Sequence, residues 1–505
     1  MKYFIWVMAL LAVLSGCESQ VNGNQAEKTK GKQAQPQKVV QKEQLPMEEK
    51  VTFKHSIPVK MDPSLPMESL ATFKPNARPN ENKAKYDLKV KAEKDGQFQV
   101  TANIQVENLS ADSWEDLVFH FIPNYFTEKN KPIHLQSSAE VHIWGIQVAG
   151  KTAQYNLEKD TLQILLNESL KPKENVPVTV TYSFKLPENG ARFSQVMGKY
   201  YLAEWYPLVS TYRSGWDKAD FSLHGESYHT DFSDFTIQYD IPEEYAIVSS
   251  ADDDPKELVT KGTITGSNIK EVYMAIVKGM PMKSAVVDGT EIRVFSNRQD
   301  EAYEAEYLEL AKKALQFFNA NIGKYPHKQL DIIMDESGME YPGIVTVAQG
   351  NTNTFAVVHE MAHQWFYGTV SSNPSYTPWI DEGTTNFATY LFFIKNEKQA
   401  PADVFAAADD HIKMAKDKGK IVPSNYSLKE FEPENILTYS ASVYEIPSLK
   451  LWALSGNNAD RALDYLKNYY RLYAYKEVDA NEWLRYTRAY FKIKDPKALG
   501  DWISL

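Results

Sequence analysis

Cysteine is nearly absent. Cys17 is the only one in 505 residues, which excludes an internal disulfide and any zinc site built from several thiolates. A basic excess is also missing: 55 Lys and Arg stand against 66 Asp and Glu, for a formal charge of −11. Nucleic-acid binding, which wants a basic face, is therefore disfavoured. The apolar run near the N-terminus, Tyr3 to Leu14, has only 12 residues, too few to span a bilayer as a helix. No internal repeat is visible. What is present is a 43% hydrophobic chain long enough for two or three domains. Its 30 Tyr and 10 Trp supply core and strand residues, with some left to line a groove for an extended ligand.

Lys2 and the apolar run after it have the form of a signal sequence. The run ends in Leu14-Ser15-Gly16-Cys17, which resembles the bacterial lipoprotein signal. That resemblance implies removal of the residues before Cys17, lipidation of Cys17, and an extracytoplasmic protein anchored to a membrane. No free thiol would then remain for thiol catalysis. Residues 1–17 read as the signal. Residues 18–50, rich in Gln, Lys, Glu and Asn, read as a flexible tether.

From 51 to 285 short alternating stretches are separated by Asn, Asp, Gly and Pro. Tyr86 to Ala92, Gln97 to Val106, Val178 to Phe184 and Thr236 to Pro242 have the period of two expected of strands. This half reads as an all-β domain, sandwich-like or saddle-shaped. From 286 to 505 the pattern changes. Strands are expected at Ile292 to Phe295, Leu330 to Met334 and Gly343 to Ala348. Helical spacing is expected from Asp300 to Asn321, Phe355 to Tyr367 (capped by Asn353 or Thr354) and Glu382 to Lys395, and mainly helices follow Pro401.

The chemistry is carried by His359-Glu360-Met361-Ala362-His363. On a helix, positions i and i+4 share a face, so both imidazoles can reach one metal ion with Glu360 beside it. A catalytic zinc site needs a third protein ligand and one open position. After His363 there are eighteen residues and then Glu382, within Trp379-Ile380-Asp381-Glu382-Gly383. A helix, a loop and a second helix would return that carboxylate to the metal. A third histidine six residues after His363 is absent, since Phe366 and Thr369 occupy the positions of that motif.

His359 to Gly368, followed by Trp379 to Gly383, resembles the aminopeptidase N family of gluzincin metallopeptidases. Two further segments agree. Ser337-Gly338-Met339-Glu340-Tyr341 lies where that family has its Gly-Ala-Met-Glu-Asn motif, and Val443-Tyr444-Glu445 where it has its catalytic Tyr. Trp205-Tyr206-Pro207 and Asp234 to Ile237 extend the resemblance into the β half. The resemblance implies a thermolysin-like α+β catalytic domain with a helical C-terminal part, and one Zn²⁺ per chain held by His359, His363 and Glu382. Glu360 would be the general base and Tyr444, with Tyr439 a nearby rival, the oxyanion donor. Glu340 would hold the α-ammonium of a peptide substrate, and Gly338 and Met339 would pair with its backbone.

The sequence departs from the family at Tyr341-Pro342 and at Ile446-Pro447-Ser448, and it stops about where the family's catalytic domain ends. The expectation is therefore a zinc aminopeptidase without the helical domain that usually covers the site. The alternatives are an endopeptidase with an open cleft, an idle peptide-binding lipoprotein and a structural surface protein. Intact Glu360 speaks against the idle site, because binding needs ligands but no base. His224, His229, His327 and His411 read as ordinary, Trp365 as core, and Asp409-Asp410-His411 as a solvated helix face. Glu226 and Tyr228 are placed to reach the site from the β domain.

Overall fold

Alternation builds the first half. In β1 (Asn82–Ala92) and β2 (Gln97–Asn108) every second side chain is buried, the mark of a sheet with one face on a core and one in water. With β3 (Glu140–Val148), β4 (Lys151–Thr152), β5 (Asn175–Lys185), β6 (Ser233–Asp240) and β7 (Lys261–Ile269) they form one sheet. Its order is β7-β6-β1-β2-β5-β3-β4. Leu88, Ile104, Val180 and Ile237 are among the residues on its inner face, fully shielded from water. Two four-stranded sheets and a two-stranded one, Thr211–Tyr212 with Trp216–Asp217, complete this half. The computed structural model describes residues 52–505 apart from 134, 191, 223–224, 227, 256, 299, 335–336, 349–353 and 432–434. Cys17, the signal and the tether lie outside the described residues.

The second half begins with a four-stranded sheet of β8 (Met282–Val287), β9 (Thr290–Ser296), β10 (Gln329–Met334) and β11 (Ile344–Thr346). The division expected at 285 falls inside β8, which pairs with β9. Between β9 and the parallel β10 runs α1 (Glu301–Asn321), capped by Asp300, whose side chain accepts from the amides of Ala302 and Tyr303. Then come α2 (Thr354–Phe366), α3 (Pro378–Lys395), α4 (Pro401–Lys418), α5 (Ile446–Leu454), α6 (Ala459–Tyr473) and α7 (Ala480–Phe491). No helix among the described residues is long and apolar enough to cross a membrane.

Two details correct the sequence reading. Helix α3 starts at Pro378 rather than at Glu382, because a proline fits the first turn, where its missing N–H would find no partner anyway. Thr354 is the first residue of α2, and Asn353 lies outside the described residues. Both α2 and α3 are buried almost throughout, as helices enclosed between layers must be.

A buried charge cluster ties the two halves together. Arg213 of the β half donates to Asp231 at 2.9 Å and to Glu477, which follows α6. Nε2 of His229 stands 3.1 Å from the same Glu477 oxygen. Burial works against the Glu477 carboxylate, but Arg213 and His229 outweigh it and hold its pKa far below the usual 4.5. A depressed carboxylate pKa stabilises the fold above the unfolded-state value and loses that effect as pH falls. Glu477→Ala is expected to cost about 3 kcal/mol at pH 7, because it leaves the buried Arg213 guanidinium with Asp231 alone and His229 without its partner. Urea midpoints should show the gap to the parent protein closing as pH is lowered from about 4.5.

Candidate metal centre

The i, i+4 spacing works as expected. His359 and His363 on α2 point their Nε2 atoms to within 3.1 Å of each other. Oε2 of Glu382, in the second turn of α3, lies 3.2 Å from the first and 3.1 Å from the second. Ligands about 2.0–2.1 Å from a tetrahedral ion sit roughly 3.3 Å apart, so this triangle is the size that one small cation needs. All three side chains are buried. Asp381 fixes the tautomer. Its Oδ1 accepts from Nδ1 of His363 at 2.9 Å, leaving the Nε2 lone pair free for a metal. The donor set of two imidazoles and a carboxylate suits zinc.

Carboxyl groups crowd around the triangle. Glu360 is buried, and its Oε1 has no hydrogen-bond partner among the described residues. Burial pushes it up to about 8, and a bound cation would draw it back toward the ordinary carboxylate range. Glu340 is pushed well above its usual value by burial and by Glu226, and Glu226 itself is raised to about 7, chiefly by burial. Oxygens of Glu226, Glu340 and Asp381 lie within 4.8 Å of one another. At His363, burial disfavours the cation, yet Glu340, Asp381 and Glu382 outweigh it and hold the pKa well above the usual range. The space between these groups measures about 20 Å³, close to the room one water needs.

Gly338, Met339 and Glu340 run beside β11, and the amide of Met339 and the carbonyl of Thr346 form a bridge at 3.1 Å. Tyr444, not Tyr439, reaches the triangle, donating to Oε1 of Glu382 at 2.5 Å. It sits in a π turn, Ala441–Glu445, where the amide of Ile446 bonds the Ala441 carbonyl five residues back. Pro447 has no N–H to continue the α pattern, which favours such a widened turn. The Tyr444 carbonyl accepts from the Ser448 hydroxyl at 2.6 Å and from the Asn386 side-chain amide at 3.2 Å. Gly383 permits this packing, since a Cβ there would come within 2.6 Å of Pro447.

The sequence reading missed several contributors. Asp381 was inside a quoted motif, and its place next to a ligand Glu was the available signal. Arg192 lines the site, donates to the Gly225 carbonyl at 3.0 Å and stands 3.7 Å from Glu226; nothing in its sequence context marks it. His411 corrects the solvated-face reading: Asp409 and Asp410 are exposed, but His411 is buried. Its Nδ1 stands 2.9 Å from Glu445, which also accepts from Tyr390 at 2.6 Å. His229 is likewise engaged, with Glu477. Glu226 reaches the site as expected, whereas Tyr228 turns away to Glu271 at 2.7 Å. Trp365 is core, with its indole N–H on the Gly323 carbonyl.

No family model matches the chain. An M1 zinc metallopeptidase from Deinococcus radiodurans superposes with a TM-score of 0.62 at 15% identity, over 85% of this chain and 95% of that one. The chain has the fold of the M1 zinc metallopeptidases. The same figures hold for a variant of that protein bound to the peptide Tyr-Ser-Ala. In sequence, 182 residues are 28% identical to aminopeptidase M1-A of rice, 31% of this chain and 21% of that one. The chain thus spans about a fifth of the curated relative it matches. Both likenesses agree with the aminopeptidase N resemblance drawn from the motifs.

Zn²⁺ titration against a chromophoric chelator is expected to give one tight site per chain. Asp381→Asn should bind about 10–100-fold more weakly, whereas an unchanged affinity would remove Asp381 from the metal centre.

Proposed function

We propose that the chain is a zinc-dependent aminopeptidase, removing N-terminal residues from peptides at the site of His359, His363 and Glu382. The observation that carries this reading is the pair Glu340 and Glu226, set beside the ligand triangle with its base and hydroxyl donor. A bound zinc ion supplies Lewis acidity there, activating water and polarising the scissile carbonyl. Glu360 accepts the proton of the attacking water and delivers it to the departing amine. Tyr444 releases its bond to Glu382 and donates to the developing oxyanion. Glu340 and Glu226 accept the α-ammonium of the substrate, with Arg192 offsetting part of their combined charge. Met339 and Gly338 offer backbone groups to an extended peptide. Closed space around two carboxylates suits a chain end better than the middle of a polypeptide, which favours this reading over an endopeptidase. Cys17 anchors the chain to a membrane outside the cytoplasm in this proposal, so Cys17→Ser is expected to release it into the soluble fraction.

Peptides offered as pairs, with free and with acetylated N-termini, test the activity. Stepwise loss from the free member only is expected, and none with Glu360→Gln, which keeps its zinc. Equal cleavage of the acetylated member would establish an endopeptidase instead. Tyr444→Phe should lower kcat by about 100–1000-fold, the scale of a lost oxyanion donor.

The contacts of Glu445 with His411, Tyr390 and Asn386 hold the turn that aims Tyr444. His411→Ala should therefore reduce kcat, by up to about 100-fold, with KM and zinc content nearly unchanged. Retention of full kcat would reduce the His411 contact to local packing.

A further inference from the structure

The outer face of the seven-stranded sheet lies away from the metal centre and takes no part in the proposed peptidase chemistry. The ladder places Lys91 beside Gln99, Gln99 beside Ser183 and Lys89 beside Thr101, which stands next to Thr181. These outward side chains border a shallow concavity of about 880 Å³. A solvated sheet face is expected to be polar, so polarity alone means little here. What sets this face apart is Trp144.

Trp144 lies where the pairing of β3 with β5 slips, between Ile143 and Gly145. A bulge of this kind adds a residue to one strand and re-aims its side chain. Here Ile143 and Ile146 keep to the core while Trp144 is turned outward, 40% exposed. The other eight tryptophans among the described residues are all buried. Its orientation is fixed: the indole N–H donates to Oγ of Ser183 at 3.1 Å, and the His142 ring packs edge-on with centroids 4.0 Å apart. An apolar ring held rigidly over a floor of amides and hydroxyls has little ordering entropy left to lose on binding.

The floor also limits the occupant. Strands β1, β2, β5 and β6 are each bonded on both sides, so the floor offers no strand edge to a peptide backbone, and the one open edge, that of β3 at Trp144, is on the side away from β5. Two of the three charged side chains that line it are paired, and Lys89 is the one without an ion pair among the described residues. Lys91 lies 2.8 Å from Glu93, and Lys261 lies 3.0 Å from Asp240. Balanced charge selects against a polyanion and fits an uncharged ligand. A ring that packs on C–H faces, beside amide and hydroxyl groups that exchange hydrogen bonds with hydroxyls, matches the two faces of a sugar ring.

We propose that this face binds a neutral polysaccharide, with Trp144 as the stacking platform, held by Ser183, and Gln99 and Thr101 as hydrogen-bonding partners. The proposal is independent of the peptidase reading, because no residue of the metal centre lines the concavity.

The test is native electrophoresis of the purified chain through gels containing laminarin, glucomannan or hydroxyethylcellulose. Retardation by at least one of them is expected, reduced at least about tenfold in apparent affinity by Trp144→Ala. Thr101→Arg, which fills the floor without touching the indole, should abolish it. Zinc content and the rate on free peptides should stay at parent values in both variants. No retardation on any of the three gels would overturn the proposal, as would retardation that survives both substitutions. Retardation in casein gels alone would assign the face to polypeptides and equally overturn it.

Discussion

Two imidazole nitrogens and a carboxylate oxygen must be held within about 3.2 Å of one another so that all three face one ion, and the second half of the chain is arranged around that requirement. Two imidazole nitrogens and a carboxylate oxygen converge only because α2 and α3 are clamped together by almost complete burial. Buried helices have no solvent-facing side on which to relax, so the side chains they carry inherit the rigidity of the core. Several polar groups of this interior are anchored by one another: His363 by Asp381, Glu382 by Tyr444, Tyr444 by its turn, and the turn by Glu445.

The same economy is visible between the halves. Arg213, Asp231, His229 and Glu477 form a hydrogen-bonded charge cluster, in addition to an apolar one in which Tyr273 of the first half stacks on Tyr341 of the second. A greasy interface would tolerate sliding, whereas a buried hydrogen-bonded charge set tolerates little displacement. That matters because Arg192, Gly225 and Glu226 come from the β half, while the ligands and Glu360 come from the helices. The site is shared across the seam, and its dimensions depend on the seam staying closed.

Much of this was legible in the sequence, and what was legible had a local cause. Period-two alternation announced β1, β2 and β5. The i, i+4 histidines announced a shared helix face, and Glu382 returned where a helix–loop–helix would bring it. What stayed hidden depended on contacts distant in sequence. His411 reads as one polar residue in a charged stretch until α4 is packed against Glu445. Arg192 acquires meaning only beside Glu226, and the start of α3 hinged on how Pro378 would be used. Trp144 likewise looks like an ordinary strand residue, because a bulge is a mismatch between two strands and neither strand alone reveals it.

The glycine at 383 has a wider consequence. It follows Glu382 directly, and a Cβ there would lie 2.6 Å from the Pro447 ring and 3.1 Å from the Val443 carbonyl, next to Tyr444. The Glu382 carboxylate and the Tyr444 phenol are therefore mounted on two helical segments that approach one another closely. A displacement of one is passed to the other without the slack of intervening side chains. Whatever breathing the cleft undergoes, these two groups travel as a single part, and a substitution that wedged the helices apart would detune both at once.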